Sequence, residues 1–299
     1  MSHLKVRPTK RNGAGDHDPG ARTALYDVAM ALHANVADRE AGKERVFLSA
    51  DWRDLVMLNY EVEPRLLREY VPRGTELDSF GGKTLVSLVG FRFLRTKLFG
   101  WLPLPFHSNF DEVNLRFYVR RRAVDGDRRG VVFIREIVPK RAVALLARVA
   151  YGENYSRFPM RHRVTSNGTS KTAEYEWRLR SGWAKLHAEG AGEPDLSRGL
   201  VRQGEGRTTW EPFLPADGSI EQFITEHYWG YSAQRDGGSV EYHVTHPQWR
   251  VWKTASGGFE GDGAEIYGSA FGVALQRPPD SAFIAEGSPV VVFTGRRIA

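Results

Sequence analysis

NFDEVNLRFYVRRRAVDGDRRGVVFIREIV (109–138) is a stretch whose side chains spell out two strands and a turn. From Glu112 to Arg122 the residue types alternate. Val113, Leu115, Phe117 and Val119 fall on one face, and Glu112, Asn114, Arg116, Tyr118 and Arg120 on the other. A period of two belongs to a strand and not to a helix. Asp125-Gly126-Asp127-Arg128-Arg129-Gly130 supplies the turn, and the run from Val131 to Val138 supplies the return strand. Such a hairpin must cover its apolar face with further sheet.

Working outward, the pattern repeats. LVMLNYEV (55–62) reads as a strand, PRLLREYVP (64–72) as a short helix begun at Pro64, and Gly81-Gly82 as a hairpin into TLVSLVGFRFL. Downstream, Ala142, Val143, Leu145, Leu146 and Val149 recur at helical spacing, which predicts a helix from Lys140 to Tyr151 ended by Gly152. Asn167-Gly168 signals another hairpin, after which Ala173, Tyr175, Trp177 and Leu179 share one face. WAKLHAEG continues the meander. Ser219-x-x-Gln222 is a capping box that opens a helix over IEQFITEHYW. Strands are predicted at SVEYHVTH, WRVWKTA, AEIYGSAFGVAL, SAFIAEG and PVVVFTG. About a dozen strands with a few short helices define a mainly antiparallel β (α+β) fold, curled or closed into a barrel.

The N-terminal region differs. Residues 1–22 hold Lys5, Arg7, Lys10, Arg11 and Arg22 against Asp16 and Asp18, and read as a disordered basic tail. Leu25, Val28, Ala29, Leu32 and Val36 predict an amphipathic helix over about 23–41, with a linker to residue 45. Its apolar stripe must dock on the body of the chain or on a second copy, so a homo-oligomer is an open expectation. Residues 46–299 are expected to form one β domain.

Composition removes several function classes. Of 299 residues none is cysteine, which excludes disulfides, thiolate zinc sites and a cysteine nucleophile, and fits a cytoplasmic protein. No run approaches the roughly 18 apolar residues of a membrane span, and the first residues lack the apolar core of a secretory signal. Net charge is +6, half of it in the tail, so the body is too weakly basic to point to a specific nucleic-acid partner. HExxH, GxSxG, GxxxxGK[ST] and a Rossmann glycine triplet are all missing. His243-x-x-His246 has poor strand geometry for a metal and no accompanying carboxylate spacing, so no metal is expected. Trp229, Tyr231, Trp249 and Trp252 read as core and barrel-end packing rather than as a stacking platform.

Two features carry chemistry. The Glu112/Asn114/Arg116/Tyr118 face is either solvated or the polar lining of a barrel interior, where a carboxylate beside an arginine would orient a small anionic ligand. At Pro139-Lys140-Arg141 the chain passes from strand to helix, with Pro139 suited to the first helical position. The helix start and the Arg141 charge both favour the neutral amine of Lys140, the form that attacks carbonyls to give Schiff bases. The bland alternative is a surface lysine flanking a helix.

FLSADWRDLVMLNYEVEPRLLREYVPRGTELD, NFDEVNLRFYV, PKRAVALLARVAYGENY, FITEHYWGYSA and HPQW together resemble the YqjF-like family of the acetoacetate decarboxylase-like superfamily, over about 47–299. The resemblance implies a cone-like β-barrel and a cofactor-independent pocket for a small molecule. The decarboxylases carry an arginine opening the first strand, a carboxylate opening a middle strand, and a Pro-Lys-Lys whose first lysine forms the Schiff base. These fall here on Arg53, Glu112 and Lys140, with Arg141 in place of the second lysine. A further pocket glutamate on the preceding strand has no counterpart, because TLVSLVGF offers only apolar residues and Ser87. The interval from Arg135-Glu136 to Pro139-Lys140 is also about two residues shorter than in the decarboxylases. The implied activity is a carbon–carbon lyase on a small keto acid. Lys140 would form the imine, Arg53 would hold the carboxylate, and Glu112 would orient substrate or move a proton. Arg141, Asn114, Arg116 and Tyr118 would contact the substrate. The alternative is a non-catalytic binding or scaffold protein on the same fold.

Overall fold

In the computed structural model the described residues are 44–103, 108–139, 155–167, 170–191, 193–194 and 210–299. The N-terminal tail and helix, the helix expected from Lys140, and Lys140 and Arg141 themselves lie outside them. The first strands are β1 (Val46–Glu61), β2 (Glu76–Leu77), β3 (Leu85–Leu98), β4 (Leu102–Pro103), β5 (Phe110–Ala123), β6 (Gly126–Val138), β7 (Tyr155–Arg157) and β8 (Met160–Ser166). There follow β9 (Ser170–Arg178), β10 (Trp183–Ala191), β11 (Glu193–Pro194), β12 (Trp210–Glu211), β13 (Trp229–Ala233) and β14 (Ser239–Thr245). The last are β15 (Val251–Glu260), β16 (Ser281–Phe293) and β17 (Arg296–Arg297). Helices are α1 (Ile220–Thr225), α2 (Gly263–Tyr267) and α3 (Ser269–Leu275). No helix among the described residues is long and apolar enough to cross a membrane.

The sheet closes on itself. Hydrogen-bonded neighbours run from β16 through β1, β3, β5, β6, β13 and β14, and β14 pairs back with β16 at Val244–Val292 and Thr245–Val291. Pairing round this ring is antiparallel except between β6 and β13. From β16 the sheet also continues through β15, β10, β9 and β8, which fold back over the outside of β1, β3 and β5. Between these layers Val56, Leu88, Leu115 and Phe117 pack with Tyr175, Trp177 and Leu186, all of them sealed from solvent. The expected face of Ala173, Tyr175, Trp177 and Leu179 is therefore core.

The two layers meet most closely at Gly90. A Cβ there would lie 2.7 Å from the Leu186 side chain and 2.8 Å from the Tyr175 ring, so any other residue must displace these two core side chains. Gly90→Val is expected to cost about 1–3 kcal/mol, the range of overpacked cores, read as a lower urea midpoint at unchanged slope. The same layer is pinned at its edge, where Lys171 and Arg92 pair with Asp54 and the Tyr175 hydroxyl donates to the Asp54 carbonyl at 2.8 Å.

Several local expectations shift. The β5–β6 turn comes earlier than the 125–130 reading, because Ala123 pairs with Gly126 and leaves a two-residue loop. Residues 64–70 form two 3-10 turns rather than one helix. AEIYGSAFGVAL is not a strand but α2 and α3, joined at Gly268 with φ +84°. Asp262 caps α2 by accepting from the Ala264 and Glu265 amides. Each helix is too short to display a period of its own, which is why alternation misled there. SAFIAEG and PVVVFTG are one strand, β16. The capping box forms with a variation: Ser219 accepts from Gln222 N, while the Gln222 side chain reaches the amide of Gly218 rather than that of Ser219.

Candidate functional site

The ring encloses a cavity of about 110 Å³ that opens to solvent at its mouth. Much of its lining is apolar and aromatic: Trp52, Phe91, Phe93, Phe110, Phe133 and Trp249. Trp52 meets Phe91 and Phe93 edge-on at 5.2 and 5.6 Å, and Trp249 fixes its indole by donating to Ser288 Oγ at 2.8 Å. Beside these rings, on β5, the lining turns polar. The β5 face left open between solvent and interior points inward along Glu112, Asn114 and Arg116, and all three are buried. Only at Arg120 does that face emerge, where the guanidinium pairs with Glu76 at 2.8 Å.

Within this wall Glu112 accepts from Asn114 Nδ2 at 3.0 Å and from the Tyr155 hydroxyl at 3.4 Å. Arg116 Nη2 donates to the Ile224 carbonyl at 3.1 Å, and its guanidinium lies 5.7 Å from the Tyr118 ring. Tyr118 is buried and is not among the cavity-lining residues. Ser87 has one hydroxyl proton and gives it to Asn59 Oδ1 at 2.6 Å, so the Tyr118 hydroxyl donates to Ser87 Oγ at 2.5 Å. Ser87, on the strand where the decarboxylases carry their second glutamate, is thus held between Asn59 and Tyr118 and does not line the cavity.

A second carboxylate reaches the cavity from the other side of β5. Glu136 on β6 is buried, pairs in register with Asn114, and lines the cavity. Strict alternation through VVFIREIV would send Arg135 inward with Val131 and Phe133, and Glu136 outward. The register prevents this: Leu115 pairs with Arg135 but Arg116 with Phe133, so Ile134 is an extra residue in a β-bulge. One inserted residue exchanges the faces of everything beyond it, and the acid turns in. Tyr155 on β7, opposite Glu136 in a parallel pair, joins it there. Neither residue stands out in the sequence, and a bulge leaves no local signal in a single chain.

Arg53 is placed elsewhere. Its Nη1 donates to the Gly287 carbonyl across the β1–β16 pair at 3.1 Å, and it is not among the cavity-lining residues, whereas its neighbour Trp52 is. Of the expected site residues that are described, the structure brings together Glu112, Asn114 and Arg116, sets Tyr118 against Arg116 but off the lining, and leaves Arg53 outside.

Two histidines complete the polar wall. Burial, then the charges of Arg129 and Arg116, hold His227 well below the usual imidazole range. Burial also lowers His246, to about 4, with Arg116 adding to the effect and the bond to the Pro247 carbonyl opposing it. Both are therefore neutral near pH 7. His246 Nδ1 must carry the proton, since its partner at 2.9 Å is a carbonyl, and Nε2 keeps the lone pair. Its ring stacks on Trp249 at 4.1 Å. No group of three metal-ligating side chains occurs among the described residues.

A family model described as "Uncharacterized conserved protein (COG2071)", DUF2071, matches residues 49–289. The chain belongs to the DUF2071 family. Among curated relatives, the uncharacterized protein YqjF of Bacillus subtilis (strain 168) is 24% identical over 186 residues, covering 62% of this chain and 67% of YqjF. Among solved structures, acetoacetate decarboxylase from Legionella pneumophila superposes with a TM-score of 0.58 at 12% identity, over 90% of this chain and 95% of that one. MppR, an enduracididine biosynthesis enzyme solved in complex with pyruvate, gives 0.55 at 12% identity over 88% and 94%. An acetoacetate decarboxylase-like enzyme from Sphingomonas wittichii RW1 gives 0.54 at 11% identity over 84% and 93%. This DUF2071 chain therefore has the acetoacetate decarboxylase-like fold. The resemblance read from its sequence holds for both family and architecture.

Proposed function

We propose that this DUF2071 protein is a cofactor-independent lyase that handles a small oxo acid through a Schiff base at Lys140. The observation that carries this reading is the pair of buried carboxylates, Glu112 and Glu136, facing one interior cavity from adjacent strands. Burying two acids beside an apolar wall costs folding free energy, and such sites are kept where the groups do work. The strand that carries Glu136 ends at Val138, and Lys140 follows Pro139 by one peptide unit of about 3.8 Å.

The chemistry follows from the groups. The neutral Lys140 amine adds to the substrate carbonyl and loses water. The resulting iminium draws electrons from the neighbouring bond as carbon dioxide or a proton leaves. Glu112, fixed by Asn114 and Tyr155, orients the adduct, and Glu136 takes and returns the proton. The aromatic wall keeps bulk water from the imine. An oxo acid as substrate is supported by the fold shared with acetoacetate decarboxylase and with MppR, which was solved with pyruvate.

Borohydride reduction in the presence of pyruvate or acetoacetate should leave a covalent adduct whose mass maps to Lys140. Lys140→Ala should lose it while keeping its far-ultraviolet dichroism. If a panel of oxo acids and aldehydes leaves no adduct on the folded wild-type chain, the lyase reading fails and a binding protein on this fold remains.

A further inference from the structure

A substrate with a carboxylate needs a cation inside the cavity, and Arg53 is not one of its lining residues. Arg116 is. It is only 8% exposed, yet among the described residues it forms no ion pair with a carboxylate. Its interactions are one backbone carbonyl and the face of Tyr118, and its buried Nε has no hydrogen-bond partner. A buried guanidinium without a counter-charge is a costly arrangement, usually relieved by an anion. His227 is 7% exposed, lies on the same Tyr118 ring at 4.6 Å, and has both ring nitrogens without a partner in good geometry. Being neutral, it carries one N–H, drawn towards the Ile224 backbone only in poor geometry and so open to a better acceptor in the cavity it lines. His246 does not help an anion, because its proton is committed to Pro247.

Glu112 stands apart from this cation. Glu112 and Arg116 are four residues apart on one strand, so their Cα atoms are separated by about 13 Å. Along β5 the cavity therefore presents Glu112 at one end and an unneutralised guanidinium at the other, with Asn114 and its cross-strand partner Glu136 between them.

We propose that Arg116, with His227 beside it, is the carboxylate-binding subsite of this cavity. The forked guanidinium takes the substrate carboxylate in two parallel hydrogen bonds, and the carbonyl is left facing Glu112 and Glu136. This assignment rests on the oxo-acid reading for its ligand but not on the imine, and the two are tested separately.

Calorimetric binding is measured in a Lys140→Ala background, where no imine forms, with pyruvate, acetoacetate and their methyl esters as probes. The acids are expected to bind more tightly than the esters. Arg116→Met should weaken the acids by roughly tenfold to a hundredfold, the range that charge-assisted hydrogen bonds supply, and leave the esters unchanged. Arg116→Lys, which keeps the charge but not the fork, should still lose several-fold and serves if the methionine variant does not fold. Acids bound no better than esters in the Lys140→Ala chain, or wild-type acid affinity in either folded Arg116 variant, would overturn the subsite. Arg116-dependent acid binding without any borohydride adduct on Lys140 would keep the subsite and sink the lyase. An adduct on Lys140 with acid binding indifferent to Arg116 would do the reverse.

Discussion

Glu241→Gln is expected to lower stability by about 3 kcal/mol, the low end for breaking a buried ionic cluster. Its carboxylate is sealed from solvent and receives Arg121 at 3.1 Å, Arg128 at 2.7 Å, Arg296 at 2.8 Å and the Tyr231 hydroxyl at 3.0 Å. Glutamine would keep the shape and leave three guanidinium groups facing one another. Because these arginines come from β5, β6 and β17 while Glu241 is on β14, the loss loosens the seam where β6, β13 and β14 close the ring. For a domain of this size that cost corresponds to a melting temperature lower by roughly 6–12 °C. Arg296, the most exposed spoke, should matter far less, with Arg296→Ala costing under about 1 kcal/mol. Burial alone would push the Glu241 carboxyl up, but Arg296, Tyr231, Arg128 and Arg121 outweigh it and hold it below its ordinary value of 4.5. A depressed folded-state pKa stabilises the fold above the unfolded value and ceases to do so as pH falls through the folded one. The wild-type advantage over Glu241→Gln should therefore be full above about pH 5 and shrink progressively below the ordinary carboxylate range. Urea unfolding at several pH values measures it, and an advantage unchanged down to pH 3 would contradict the hub.

The same residues show what a single sequence can and cannot carry. Alternation on β5 and β9 is enforced by burial of every second side chain, so Val113, Leu115, Tyr175 and Trp177 are legible as core from the residue pattern alone. The polar face of β5 is legible as polar, but whether it meets water or a cavity depends on ring closure through Val244 and Val292, more than a hundred residues away. Glu241 sits in a strand that reads as ordinary, and nothing local says that arginines from three strands converge on it. Arg53 shows the opposite failure. Matched by its place just ahead of LVMLNYEV, it lies midway along β1 and is set by strand geometry on the face away from Trp52 and the cavity. A family motif transfers a position along the chain, whereas the direction of a side chain is decided by registers that can slip by one.

Glu136 is where such a slip has its largest functional consequence. Both acids reach the cavity, but their surroundings differ. Glu112 is held by donors from Asn114 and Tyr155, an arrangement suited to a fixed carboxylate that positions an adduct. Glu136 lies on the strand that leads in sequence to Pro139 and Lys140. If it moves the proton, Glu136→Gln should slow any step through the enamine by roughly 10²–10⁴-fold, the usual contribution of a placed acid–base group. The exchange of pyruvate methyl protons for deuterium, followed by proton NMR, reads that step and needs no knowledge of the natural substrate. Imine formation at Lys140 does not require the same proton transfer, so the borohydride adduct should persist in Glu136→Gln. Glu112→Gln, by contrast, should weaken adduct formation as well, since the group that orients the carbonyl is changed. Exchange within a few-fold of wild type in Glu136→Gln, with the adduct intact, would show that the bulge turns in an acid that only shapes the cavity wall.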